Sequence, residues 1–398
     1  MFTLILSPVY LLVNVYLIFR GLRWLKAVHG VFAKKPAAVL FSLAVSALAV
    51  LPVLAFFLPA GGLRRTLLAL GNNWMGILLW LFLFLALADL GRLLFRRLGL
   101  LKDPLYRSRR ALALLGAGVL LCASALSGFC FFTAQNVRTT RYDVSIQKES
   151  RIPELTIALI SDTHFGSTTG VKRMEQIVER VNAMDADLVC FAGDIFDNEY
   201  ALLDDPERLL QLFRSLKSRY GVFACWGNHD IEEPILAGFT FPSGEPLENG
   251  REMADFLKRA GVTLLEDKAV LVENSFYVLG RRDSRKPGTP DGERLDAGAL
   301  TAGLDRAKPL LVLDHEPQEP GVLAKAGADL ILSGHTHGGQ IFPGNLLMAL
   351  LWDNPYGLRE WDGSCEIVTS GAGTFGPAMR LGTRAEVVEI HAAFSAGN

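Results

Sequence analysis

Five of the seven histidines, His164, His229, His315, His335 and His337, each follow an apolar run and stand beside Asp, Asn or Gly. The runs end in Ser161-Asp162-Thr163-His164, Gly193-Asp194-Ile195-Phe196-Asp197, Gly227-Asn228-His229-Asp230, Asp314-His315 and Gly334-His335-Thr336-His337-Gly338-Gly339-Gln340. Imidazole is the commonest metal-binding side chain. Combined with the carboxylates of Asp162 and Asp194 and the amide oxygen of Asn228, it makes a mixed nitrogen and oxygen shell. Such a shell suits ions of the Mn, Fe or Zn type and needs no cysteine. Taken singly the motifs carry little. Asp-x-His arises by chance, Gly-Asp also serves turns and helix caps, and Gly-Asn is ordinary turn chemistry. Two imidazoles two residues apart beside Gly334 are poor core filler. All five motifs in order, each after a strand, leave little room for coincidence.

The intervening pattern supplies elements that can bring these residues together. Leu155–Ile160, Asp187–Ala192 and Val222–Trp226 read as buried strands. Val171–Met184 places Met174, Ile177, Val178 and Val181 on one helical face, and Pro206–Leu216 opens with Pro in its first turn. Further strands are predicted at Ala269–Val272, Phe276–Leu279, Pro309–Leu313, Asp329–Leu332, Glu366–Thr369 and Glu386–Ile390. This is an α/β domain with enough strands for two sheets, and in such sheets ligands collect at the carboxyl ends of strands. Pro234–Gly250 and Ser284–Gly292 read as irregular.

The ordered set, from about Leu155 to Ile390, resembles the calcineurin-like metallophosphoesterases. Gly371-Ala-Gly373, Arg380 and Glu386 are similar to the tail of a bacterial membrane-associated subgroup. The resemblance implies a four-layer αββα sandwich and hydrolysis of a phosphate ester by attack of a metal-bound hydroxide. It implies that Asp162, His164 and His337 hold one ion, that Asn228, His315 and His335 hold the other, and that Asp194 bridges them. His229 then acts on the phosphate or leaving group, and Asp197 supports a ligand from behind. Asp314 and Glu316 flank His315 as extra carboxylates and are expected to face away from the second ion.

Half of the residues are hydrophobic, and the formal charge of −1 hides a split. Residues 1–150 carry 17 Lys and Arg against 4 Asp and Glu, whereas residues 151–398 carry 23 against 37. The resulting −14 of the second part opposes long polyanions, which makes nucleic acid an unlikely substrate. Four apolar segments, Phe2–Phe19, Ala37–Leu58, Trp74–Phe95 and Ala111–Phe132, are each long enough for a spanning helix. No cleavage site follows the first, so it reads as retained. The domain plan is a four-helix transmembrane region over 1–132, a linker and lead-in strand over 133–153, and the metallophosphoesterase domain over 154–398. Loops one and three carry five and seven Lys or Arg, and loop two carries Arg64 and Arg65. The positive-inside rule then places loops one and three in the cytoplasm and the catalytic half outside the plasma (inner) membrane. Asp89 reads as an interfacial carboxylate paired with Arg92, and Asn72-Asn73-Trp74 as an outer interfacial edge. Gly116-Ala-Gly118 reads as a helix-packing surface. The five cysteines show neither zinc nor disulfide spacing.

These features point to a membrane-anchored phosphoesterase acting on a phosphorylated lipid, such as a phospholipid, or on another cell-envelope or small phosphoester, with the bilayer as its other partner. Some enzymes that the subgroup resembles cleave a UDP-linked diacyl sugar, a cytoplasmic chemistry that the expected orientation opposes. The competing readings are a general nucleotide phosphodiesterase and a non-catalytic metal-binding sensor or scaffold. Phe342–Trp361, with Leu346-Leu-Met-Ala-Leu-Leu-Trp352, reads either as an apolar lip or, more plainly, as a helix packed on the domain.

Overall fold

The structure is a computed structural model that describes residues 2–99, 108–233, 235–236, 239–240, 250–288 and 293–395. The chain divides into two compact units, Met1–Phe132 with Leu236–Phe239, and Thr133–Ile235 with Thr240–Asn398.

The first unit holds long helices at Phe2–Val28 (α1), Lys35–Phe56 (α2), Gly62–Arg97 (α3) and Arg109–Gln135 (α4), the last ending in the second unit. Among the described residues three helices, α2, α3 and α4, are long and apolar enough to cross a membrane, not the four the sequence predicts. The first predicted span is helical, but from Ser7 onward it soon meets Asn14, Arg20 and Arg23, which dilute its apolar run. Helix α3 runs for 36 residues, about 54 Å at the helical rise. That exceeds a hydrocarbon core of ~30 Å. It therefore takes in Arg64 and Arg65, which the sequence reading assigns to a loop.

Packing adds to two further expectations. Trp74, read as part of an outer interfacial edge, is buried, and its indole donates to the Asn14 amide oxygen at 3.3 Å. Asp89 accepts from the Arg20 guanidinium at 2.5 Å and the Tyr16 hydroxyl at 2.7 Å, so it joins α3 to α1 and not merely to its own helix. Gly116 of α4 lies against the Trp24 ring, and the Trp24 indole donates to the Ala113 carbonyl at 3.0 Å. A methyl group at Gly116 would overlap that ring, so the small residue is what lets the two helices meet there.

The second unit contains two six-stranded mixed sheets. The first runs in the order Arg138–Glu149 (β1), Glu386–Ser395 (β14), Glu154–Ile160 (β2), Leu188–Ala192 (β3), Val222–Cys225 (β4) and Val262–Leu264 (β7). The second runs Gly357–Trp361 (β12), Ser364–Val368 (β13), Leu330–Ser333 (β11), Leu310–Leu313 (β10), Phe276–Gly280 (β9) and Lys268–Val272 (β8). Ile235–Leu236 (β5) and Phe239–Thr240 (β6) form a two-stranded ribbon inside the stretch read as irregular. The lead-in strand β1 is thus the edge of the first sheet, paired in parallel with β14. Strands β2, β3, β4 and β7 are mutually parallel, as are β9, β10, β11 and β13. Their carboxyl ends therefore gather at one edge of each sheet. Every residue of β3, β10 and β11 is buried, which is why these strands read as unbroken apolar runs.

Three apolar cores hold the unit. Ala158, Ile160, Val189 and Phe191 of the first sheet pack against Val171–Ala183 (α5), Pro206–Arg214 (α6) and Arg251–Ala260 (α7). Met174, Ile177 and Val181 face inward from α5 at the spacing its sequence shows. Ile157, Leu159, Leu188 and Cys190 on the opposite face meet Val278, Leu311, Leu313 and Leu332 of the second sheet. Beyond it, Leu310, Val312 and Ile331 pack on Ala297–Thr301 (α8) and Pro320–Ala326 (α9). Cys190 and Cys225 are buried free thiols. One more helix, Gly344–Leu351 (α10), follows the double-histidine motif; its first residues lie against the His337–Gly339 turn, while Leu346, Leu347, Leu350 and Leu351 stay exposed.

Candidate metal centre

The strand ends bring every predicted site residue together. Asp162 and His164 follow β2, Asp194 follows β3, Asn228 and His229 follow β4, His315 follows β10, and His335 and His337 follow β11. The backbone turns sharply there. Asp162, His164, Asp194, His335 and His337 all take positive φ values between 44° and 68°. Such left-handed conformations are costly for residues with side chains and cluster at functional sites. Gly227 and Gly334 permit the crowding. A Cβ on Gly227 would lie 2.3 Å from Asp194 Oδ1, and one on Gly334 would lie 2.0 Å from Ser161 Oγ.

Two groups emerge. Asp162, His164 and His337 converge, with His337 Nε2 3.5 Å from Asp162 Oδ1 and 3.1 Å from His164 Nε2. Asp194, His315 and His335 form the second group. Asp194 Oδ2 faces both, at 3.1 Å from His315 Nε2 and 3.7 Å from His164 Nε2. Asn228 Oδ1 lies 2.8 Å from His335 Nδ1. A third, overlapping group joins His164 and His229 to Asp197, whose Oδ1 lies 3.7 Å from His164 Nδ1.

The charge pattern fits divalent cations. His315 Nδ1 donates to the Ala192 carbonyl at 2.8 Å, so its other nitrogen faces Asp194 with no proton when the ring is neutral. That Nε2 is buried and has no hydrogen-bond partner. Burial works against a charged His315, yet Asp194 and Asp162 together push it well above its ordinary value. Positive charge is thus demanded at this point, and a cation can supply it in place of a proton. Burial also opposes ionisation of Asp194, but His315, His229 and His164 hold it well below the usual carboxylate range. Burial lowers His335 and His337 well below the usual imidazole value, which leaves them as the neutral rings that metal binding requires.

The surrounding residues brace this arrangement. Asp230 accepts from the backbone amides of Phe196 and Gly227, each at 2.8 Å, and so ties the turns after β3 and β4 together. Burial, reinforced by Asp194, raises the Asp230 carboxyl to about 7. Arg380 is fully buried and donates to the carbonyls of Ser370 at 2.6 Å and Gly373 at 2.8 Å, beside His337 Nδ1 at 3.4 Å. Glu386 accepts from Thr369 Oγ1 at 3.0 Å and Ser370 N at 2.9 Å. These contacts clamp the Ser370–Gly373 loop behind Asp162, whose carbonyl accepts from Gly373 N at 2.8 Å.

The structure shows three features that sequence reasoning missed or misplaced. Asn198 Oδ1 accepts from His229 Nδ1 and so fixes which nitrogen of that ring points onward. Asn198 directly follows Asp197, but a lone Asn after a known motif gives no distinct signal. Phe375 stands 4.7 Å from the His229 ring and 5.5 Å from His164. Glu316 does not face away: its Oε1 lies 3.6 Å from His335 Nε2, while its other oxygen takes Ser284 and Gln318. Asp314 does turn aside, to Arg281 at 3.1 Å and Arg294 at 3.4 Å.

Residues 155–339, which carry all seven candidate ligands, match the model of the calcineurin-like phosphoesterase family. This stretch is a calcineurin-like phosphoesterase domain. The family comprises metal-dependent phosphoester hydrolases and implies divalent ions at the site. The phosphoesterase is 29% identical over 276 residues to an uncharacterised metallophosphoesterase of Aquifex aeolicus, covering 67% of this chain and 96% of that one. It is 29% identical over 337 residues to a transmembrane protein with a metallophosphoesterase domain from Danio rerio, covering 79% and 70%. It is 23% identical over 239 residues to UDP-2,3-diacylglucosamine pyrophosphatase of Chlamydia trachomatis, covering 52% and 70%. Such relatives and the three apolar helices together indicate membrane association.

Proposed function

We propose that this phosphoesterase is a membrane-anchored dinuclear hydrolase of a phosphorylated lipid or cell-envelope phosphoester. The observation that carries the reading is Asp194 Oδ2, which faces His315 on one side and His164 on the other. One carboxylate between two ligand groups is the arrangement a two-metal site needs. Asp162, His164 and His337 would hold one ion, Asn228, His315 and His335 the other, and Asp194 both. Bound there, two ions of the Mn, Fe or Zn type would supply Lewis acidity and lower the pKa of water. The three cores, lying helix to sheet, sheet to sheet and sheet to helix, support a four-layer αββα arrangement.

His229 handles the proton. Its Nδ1 donates to Asn198, which leaves Nε2 for substrate. Burial first, offset only in part by Asp194, lowers this ring to about 4. An anionic phosphate beside it raises that value again, so Nε2 becomes a donor toward the departing oxygen once substrate is bound. Phe375 packs on the ring and limits the access of water.

Three spanning helices support a lipid-side substrate. So does the similarity to the Chlamydia enzyme, whose name states a lipid-linked pyrophosphate. Orientation follows from parity. The basic stretches Arg20–Lys35 and Arg92–Arg110 are separated by α2 and α3, so they share a side, and α4 then carries the hydrolase to the other. This holds whether or not α1 spans, and the positive-inside rule makes that other side extracytoplasmic.

The test is turnover of p-nitrophenyl phosphate, bis-p-nitrophenyl phosphate, a nucleotide diester and a lysophospholipid by the purified full chain with Mn²⁺. Asp194→Ala should abolish hydrolysis of whichever ester is cleaved. Full activity in that variant would sink the mechanism.

A further inference from the structure

Beside His335 lies a groove of about 590 Å³, lined by Arg285, Pro317, Gln318 and Ala349–Asp353. Its volume is that of a small-molecule site. One wall is the end of α10. Leu350 is 84% exposed and Leu351 63%, and no residue of this uncharged helix is buried. Contiguous exposed apolar surface of this kind marks a place where something binds. Two of its lining residues touch groups at the candidate metal centre. The Trp352 ring stands edge-on to His335 with centroids 5.3 Å apart. Arg285 Nε lies 3.2 Å from Glu316 Oε1, the same oxygen that faces His335 Nε2 at 3.6 Å. The Arg285 side chain remains more than half exposed.

We propose that this groove is the subsite for the apolar chain of the substrate, with Arg285 meeting its anionic head and Leu350, Leu351 and Trp352 lining its tail. The assignment rests on the phosphoester hydrolase reading of the same site. A single guanidinium beside the metal ligands, with exposed leucines further along the same groove, selects a substrate tail over contact with a bilayer. An anionic amphiphile matches this arrangement, because its charge and its chain then fall where the groove is charged and apolar.

The experiment compares ethyl and octyl esters of phosphate, as n-alkyl monoesters and as p-nitrophenyl n-alkyl diesters, with the full chain below micellar substrate concentrations. Each methylene that leaves water for the groove raises kcat/KM about fourfold, so even partial burial favours octyl over ethyl by at least about tenfold. Leu350→Asp with Leu351→Asp should bring that ratio to about one. Leu346→Asp with Leu347→Asp, on the same exposed helix but outside the groove, should leave the ratio intact. Equal rates for ethyl and octyl esters in the wild type would overturn the subsite while leaving the hydrolase reading standing. Absence of hydrolysis of every ester would instead remove the hydrolase reading on which it rests. A Leu350/Leu351 variant that keeps its octyl preference in solution and loses turnover only on lipid held in vesicles would overturn the subsite in favour of a bilayer contact.

Discussion

At the residue scale, His229 and Asp194 separate into different roles with different signatures. His229→Ala should lower kcat by about 10²- to 10⁴-fold, the range for losing one proton-transfer group. Its metal content, measured by elemental analysis, should stay at the wild-type level. Asp194→Ala should lose both activity and bound metal, because its Oδ2 faces both ligand groups. All seven candidate ligands were legible in the sequence because each sits at a strand end beside a turn residue. Asn198 and Glu316 were not, since their roles depend on rotamers that bring them to His229 and His335. A second residue-scale prediction concerns Glu366, buried on β13 and bonded to Asn354 at 3.1 Å and Trp361 at 3.0 Å. Burial pushes its carboxyl up to about 7. Its folded value lies above the unfolded one, so the stability it contributes is complete below about pH 4.5 and is lost as pH rises through about 7. Glu366→Gln cannot ionise. It should match the wild type at pH 4.5 in thermal unfolding and exceed it by up to about 3 kcal/mol at pH 8.

At the element scale, the tight turns after the parallel strands carry the site. Gly334→Ala forces a methyl group against Ser161 Oγ and Asp162 Oδ2. Relief requires the β2 and β11 turns to part, at about 1–3 kcal/mol for an overpacked position. Metal affinity by competition with a chelator should fall even where the fold persists. The strands β2, β3, β4, β10 and β11 were legible because they are short, apolar and followed by polar turns. Helix α7 and strands β7 and β12 escaped notice. The Arg251–Ala260 sequence is strongly amphipathic, but it is short and directly follows the Pro- and Gly-rich stretch read as irregular, and β12 is a mostly exposed edge strand with little apolar signal. The membrane helices were misjudged at their ends. Length and hydropathy do not reveal that Gly62–Trp74 continues as helix or that Trp74 turns inward to Asn14.

At the scale of the whole molecule, charge and helix parity give a prediction that needs no substrate. Alkaline phosphatase fused after Asn398 should be active in cells and a green fluorescent protein fusion dark, because only the former matures outside the cytoplasm. The reverse pattern would overturn the orientation. The strand order adds a constraint on how such a chain is made. The last strand, β14, lies between β1, which begins three residues after α4 ends, and β2. The first sheet therefore cannot close until residues 386–395 have left the ribosome, and pairings of such long sequence separation form slowly. During synthesis β1 and β2 wait as unpaired edges, exposed to proteases and to each other's copies. A chain stopped before Glu386 should be degraded, leaving its membrane helices behind. A domain of this strand order that is carried across a membrane has to cross before the sheet locks, as an open thread, and its candidate ligands meet only on arrival.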